Sequence, residues 1–238
     1  MRSAPKSVKT QRRQDRRFQI ISIVFLAIVA FFQTFPFWIK LIDATHSPEF
    51  LPEIGKVYIW FADFTLVNFK TVIESARLFQ ALGVSLLHTV SFTGLSLFVA
   101  VLVGYVLAKM QFKGKAFVST LLLTTLMIPG EILLAANYKL TIFFGINDSI
   151  LGIILPGIVN VFGIFLVKQY MSNIPDSVLE AAGIDGCGEF KKIIVIVFPM
   201  SVPIIMTYVI LTFIGTWNEY LFPMILYTTS GSGWLYTL

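Results

Sequence analysis

Residues 84–108 read VSLLHTVSFTGLSLFVAVLVGYVLA, a run without a single Asp, Glu, Lys or Arg. A bilayer core about 30 Å thick is crossed by roughly 20 mostly apolar residues in a helix, so this stretch is long enough to span. It lacks the period-2 alternation of a lipid-facing barrel strand. Working outward, four more stretches of the same kind occupy residues 18–42, 116–136, 150–167 and 202–227. The fold class that follows is an all-α membrane protein, a polytopic helix bundle with five spans.

Composition says the same. Of 238 residues 56% are apolar and 13% charged, whereas a soluble domain carries about 25% charged and 45–50% apolar residues. Mean hydropathy is +0.82. A water-soluble enzyme, a disordered tail and a disulfide scaffold are excluded, and the lone Cys187 forms no internal disulfide. The net charge of +5 is concentrated: seven of 18 Lys/Arg lie in residues 1–17 (Arg2, Lys6, Lys9, Arg12, Arg13, Arg16, Arg17). That is a membrane flank rather than a nucleic-acid face.

Basic residues also orient the chain. With the N-terminus in the cytoplasm, segments 1–17, 109–115 and 168–192 face inward and hold thirteen of the 18 Lys/Arg. The other five are Lys40, Lys56, Lys70, Arg77 and Lys139. A basic start before an apolar run also describes a signal peptide, but an h-region covers only about 7–15 residues. Residues 43–46 offer no small-x-small cleavage site either, so 18–42 is read as a retained first helix. The connection 43–83 carries Pro48, Pro52 and five acids, and is expected to fold as an external cap. Its Tyr58, Trp60 and Phe61 suit the headgroup level. The remainder, 84–238, forms the core and includes a cytoplasmic loop at 173–199.

That loop is the most informative segment. Asn173 is a helix-capping residue type, Pro175 is tolerated in a first turn, and Asp176 suits the positive end of the dipole. Leu179, Ala181 and Ala182 favour helix, and Gly186 is placed to end it in a left-handed conformation. A second run, Glu189 to Phe198, leads to Pro199 and Pro203, which fix the angle of re-entry to the membrane. A short surface helix clamped between spans transmits a push.

Glu180-Ala181-Ala182, then Asp185-Gly186, with Pro199 and Pro203 after them, resembles the EAA loop of membrane subunits of binding-protein-dependent ABC importers. The likeness continues in Trp217-Asn218-Glu219-Tyr220-Leu221-Phe222-Pro223, which is similar to a stretch of maltose-type carbohydrate permeases, and in Met127-Ile128-Pro129. It runs from about residue 80 to 238. The resemblance implies the type I ABC importer permease fold and a multi-pass subunit in a prokaryotic inner membrane. It implies a second, distinct permease subunit, two cytoplasmic ATPase subunits holding ATP and Mg, and an extracytoplasmic solute-binding protein. Glu180, Ala181, Ala182, Asp185 and Gly186 would form the surface that docks on the ATPase. Headgroup contact by a capped amphipathic helix is the competing reading. Members of the family have a sixth span, whereas this chain stops at 231–238, so its core is expected to be C-terminally incomplete.

Strongly polar groups inside spans are costly and usually face a cavity or a partner. Trp217 and Tyr220 are suited to stack on a sugar face, Asn218 to hydrogen-bond it, and Glu219 sits beside them; interface placement or helix packing is the alternative. Glu131 follows Pro129-Gly130, which should break the third helix near a pathway, or else it lies at that helix's outer end. Asn137, Tyr138 and Asn160 are weaker candidates. Ser85, Thr89, Ser91, Thr93, Gly94 and Ser96 are spaced for helix packing, and His88 is placed at the interface. His46 and His88 have no metal-ligand spacing.

There is no Gly-x-x-x-x-Gly-Lys-Ser/Thr loop, so ATP must be hydrolysed by another chain. No Gly-x-Ser-x-Gly, His-Glu-x-x-His or Cys-x-x-Cys occurs, and the chain is not expected to be an enzyme or to hold a cofactor. The expected function is translocation of a sugar or oligosaccharide. Rival readings are an ABC permease for amino acids, peptides or polyamines, and an ion-coupled secondary carrier.

Overall fold

The computed structural model describes residues 8–49, 57–61, 63–74, 76–147 and 149–230. Side chains are described for these apart from 8–15, 76, 77 and 227–230. The closing residues 231–238, Pro52 and residues 1–7 of the basic N-terminus lie outside the described residues. All regular structure among the described residues is helical. The chain divides into two compact units, Met1–Ala76 and Arg77–Leu238.

In the first unit, α1 (Val8–Ala44) contains an uninterrupted apolar stretch, Arg16–Ala44, which covers the expected 18–42. Its side chains stay exposed, Phe18 at 72% and Phe37 at 77%, as suits a helix whose solvent is lipid. A short cap follows. Asn68, in α2 (Val67–Glu74), donates to the carbonyls of Ala44 and His46 at 3.2 and 2.7 Å. Trp38 Nε1 donates to Ile59 O, and its ring meets Phe61 edge-on. Ile59, Phe61 and Asn68 are thus tied back onto the end of α1.

In the second unit, α3 (Ala76–Lys109) is a single unbroken helix. It begins eight residues ahead of the expected 84. The three later spans are not straight. The stretch expected at 116–136 is split into α4 (Lys115–Thr125) and α5 (Gly130–Phe143), at 103° to each other. Pro129 caps α5, and a residue before proline is driven out of helical conformation. The stretch at 150–167 becomes α6 (Ile150–Gly157) and α7 (Val161–Met171), bent by 49°. Asn160 starts α7, its Oδ1 accepting from Gly163 N at 3.0 Å. After α8 (Asp176–Ile184) comes an arm of α9 (Glu189–Lys192), a π-helical turn Ile193–Val197 and α10 (Phe198–Met200). That arm meets α11 (Val202–Trp217) at 81° across Ser201, so Pro199 and Pro203 bracket a sharp corner. The last span ends at Trp217, not 227, and α12 (Leu221–Ser230) is a separate helix.

The main core is built by α3, α7, α8, the π turn and α11: Tyr105, Leu107, Ile164, Val167, Met171, Leu179, Val197, Ile205 and Tyr208. At its centre Ser96 Oγ and Tyr208 Oη share a 2.6 Å hydrogen bond. The Tyr208 ring lies against the backbone of Gly163, where a Cβ would stand 2.1 Å from Cε2. Only glycine lets α7 and α11 approach so closely. A smaller cluster of Ile153, Phe222 and Leu226 joins α5, α6 and α12.

Candidate functional site: a cavity at three helix breaks, and the α8 segment

Three helix breaks, after α4, after α6 and between α11 and α12, meet at one place, whereas the corner at Ser201 does not reach it. A cavity of about 490 Å³ is lined by Gly130 and Glu131 after the first break, Pro156 and Gly157 at the second, and Asn218, Glu219 and Tyr220 at the third. Phe92 of α3, Asn137 of α5 and Phe222 of α12 complete much of the wall. Broken helices are tolerated at membrane depth where freed backbone faces a cavity or protein, and such breaks mark binding sites in membrane carriers. The wall combines carboxylates, amides and aromatic rings, with no Lys or Arg.

Of the sequence candidates for a solute pathway, Glu131, Asn218, Glu219 and Tyr220 are brought together here. Trp217 and Asn160 are not. Trp217 stacks on Phe213, centroids 6.1 Å apart and 7° between planes, and Asn160 Oδ1 is occupied in capping α7. Asn218 Nδ2 donates back to Ile214 O at 2.7 Å, leaving its carbonyl oxygen for another partner. Phe92, Pro156 and Gly157 were not singled out by sequence. The Pro-Gly pair is a turn signal, but it lies inside a continuous apolar run.

Beside Phe92 on α3 lies a buried polar stripe. His88 is 4% exposed, its ring edge-on to Phe92 at 6.1 Å. Thr89, Thr93 and Ser96 are buried as helix-packing residues should be. His88 Nε2 and the hydroxyls of Thr89 and Thr93 have no hydrogen-bond partner among the described residues. Buried polar groups ordinarily find one.

The second candidate site is α8. Asn173, expected to cap it, donates its amide to Gln169 O instead, and Pro175 occupies the cap position. The turn that closes α7 claims Asn173, since Asn173 N bonds Tyr170 O. The other end follows expectation. Gly186 has φ +78°, its N–H bonds Gly183 O, and Cys187 N bonds Ala182 O at 2.9 Å, a Schellman closure. Glu180, Ala181, Asp185 and Gly186 are exposed; Ala182 turns inward with Leu179. Ile184 adds an 88% exposed apolar side chain.

A network behind α8 was not anticipated. Lys109, read from sequence only as a basic flank, has a side chain just 7% exposed. Its ammonium donates to Asp176 Oδ1 at 2.6 Å and to Ile174 O. One turn earlier, Tyr105 Oη donates to Glu189 Oε2 at 2.6 Å, while Lys192 donates to Glu189 Oε1 at 2.7 Å. The hydrogen bond from Lys192, then that from Tyr105, holds the Glu189 carboxyl below the ordinary carboxylate value.

A polytopic helical bundle with broken spans around a polar cavity, and a capped surface helix anchored to it, defines a membrane transport component. Residues 100–238 match the family described as binding-protein-dependent transport system inner membrane component. The chain belongs to that family. It is 28% identical over 222 residues to Protein LplC of Bacillus subtilis (strain 168), covering 93% of this chain and 74% of that protein. It is 33% identical over 202 residues to the arabinooligosaccharides transport system permease protein AraQ of Halalkalibacterium halodurans, covering 84% and 72%. A crystal structure of a bacterial ABC transporter involved in the import of the acidic polysaccharide alginate shares the fold. Its TM-score is 0.77 at 24% identity, over 94% of this chain and 77% of that one. The chain is therefore a multi-pass membrane permease, a transport component rather than an enzyme.

Proposed function

We propose that the chain passes a sugar or oligosaccharide across the membrane as one of two permease subunits of an ABC importer. The observation that carries this reading is the meeting of three helix breaks on one cavity lined by amides, carboxylates and aromatic rings. Such a wall supplies the hydrogen bonds and stacking faces that a polyhydroxylated solute needs. The names of the AraQ relatives point to the same solute class. Asn218, Glu219, Tyr220 and Glu131 are the contacting residues, while Trp217 and Asn160 hold the cavity's frame.

In this reading the N-terminus and α8 face the cytoplasm, where most of the basic residues fall. Two ATPase subunits carry ATP and Mg, and one docks on the outward face of α8 through Glu180, Ala181, Ile184, Asp185 and Gly186. A distinct second permease subunit completes the membrane domain, and a solute-binding protein delivers cargo from the other side.

The test is uptake into proteoliposomes holding the full complex, with a panel of neutral oligosaccharides, amino acids, peptides and polyamines. ATP-dependent, binding-protein-dependent uptake of an oligosaccharide is expected. Uptake without ATP, or of amino acids alone, would overturn the reading.

A further inference from the structure

Each of the other spans in the second unit is bent or ends at the cavity, whereas α3 runs as one continuous helix from the α8 segment past the cavity wall. Lys109 and Phe92 are separated by roughly 25 Å of continuous helix at 1.5 Å per residue. At the Lys109 end, two side chains four residues apart share one face of the helix. Lys109 grips the start of α8 through Asp176 and Ile174 O. Tyr105, 2% exposed, grips α9 through Glu189. Lys192 links the two grips: it bonds Glu189 and also lies across α8, its Nζ 3.3 Å from where a Cβ on Gly183 would stand. Both ends of the docking segment are thus fastened to one rod. Midway along that rod Phe92 is packed into the cavity wall.

The geometry points to α3 as the transmission rod of this permease, with Tyr105 and Lys109 as positioning residues that convert a displacement of α8 into a displacement of Phe92 at the cavity. This rests on the proposed function, in which an ATPase pushes on α8. A packed helix moves as a unit, because close-packed interiors transmit strain rather than absorb it. Through α4–α5 or α6–α7 the same push would meet bends of 103° and 49°. The Lys109 side chain is 7% exposed while Asp176 is 75% exposed, so the packed Lys109 stem, rather than the carboxylate, fixes where the pair forms.

The experiment measures solute taken up per ATP hydrolysed by the full complex with its binding protein, for Lys109→Met, Lys109→Arg, Tyr105→Phe and Asp176→Asn. ATP turnover is expected to stay within about twofold, while uptake per ATP falls about tenfold for Lys109→Met and roughly threefold for the other two neutral variants, within the range of site-to-site couplings. Lys109→Arg, which keeps the charge and the donors, restores the ratio. If hydrolysis and uptake fall in proportion, or the ratio is unchanged, these residues only support the fold and the proposal fails. Should Lys109→Met not assemble, Tyr105→Phe, which removes one hydroxyl, decides the matter by the same ratio. A wild-type complex that moves no solute with ATP would instead overturn the functional reading, and this role with it.

Discussion

The second unit has two regions that differ in construction. Around α3, α7 and α11 side chains interlock closely enough that Gly163 leaves no room for a methyl group beside Tyr208. Around the cavity, three short helices share a cluster of three buried residues, and Glu131, Asn218, Glu219 and Tyr220 stand exposed. The contrast fits the proposed function. A region that is to receive a mechanical stroke must be stiff, and close packing supplies stiffness. A region that is to meet and release a solute must be accessible and able to rearrange, as weakly packed elements are.

The sharpest way to break this comparison is Gly163→Ala. Its Cβ would stand 2.1 Å from Tyr208 Cε2, and the ring is held at its far end by Ser96. Overpacking typically costs about 1–3 kcal/mol and can cost more; here the new atom meets a fixed ring. Loss of correctly assembled protein, measured as membrane yield and thermal stability in detergent, is expected. Wild-type stability would show the core to be looser than described.

Gly186→Val ranks next. At φ +78° a β-branched residue is strained by about 1–3 kcal/mol, so the Schellman closure should open and the outward face of α8 deform. Insertion and solute binding should persist while ATP hydrolysis no longer drives uptake. Gly186→Asn, which tolerates this conformation, should retain more than half of the coupling. Equal uptake by the valine variant would remove α8 from the mechanism.

In the cavity, Glu219→Gln should lower uptake by about tenfold or more, since a lost charge-assisted hydrogen bond is worth about 1.5–3 kcal/mol, and Asn218→Ala by severalfold, since a neutral one is worth about 0.5–1.5 kcal/mol. Stability should hardly change. That outcome separates the regions cleanly: core substitutions act on assembly, cavity substitutions on transport. A stability loss from Glu219→Gln as large as that from Gly163→Ala would erase the distinction.

How much of this was readable beforehand follows the same divide. The α8 termination was legible because its code is local: Gly186 alone determines a left-handed closure. The break before Glu131 was legible because Pro129-Gly130 stands at a change in pattern. The break at Pro156-Gly157 was hidden, because in lipid every face of a helix is apolar and a bend leaves no trace in periodicity. Asn173 and Pro175 competed for one cap, and the turn ending α7 decided between them. Lys109 reads in sequence as an ordinary positive flank. Only its 67-residue separation from Asp176 in the chain, closed by folding, turns it into an anchor.

The smallest effect tests how tightly the anchored region is held. Glu189 is kept below the ordinary carboxylate value of 4.5, chiefly by Lys192 and then by Tyr105. A carboxyl whose folded value is lowered stabilises the fold fully above its unfolded value, and that contribution fades as pH falls through the folded value. The ties between α3 and α9 should therefore be intact from neutral pH down to the ordinary carboxylate range and loosen only below it. Difference infrared titration of the protein against Glu189→Gln should place the midpoint below 4.5. Lys192→Met should raise it, and Tyr105→Phe should raise it by less. A midpoint at or above 4.5 in the unmodified chain would mean that water, not α3, is the partner of Glu189, and that the Lys109 end is as open as the cavity.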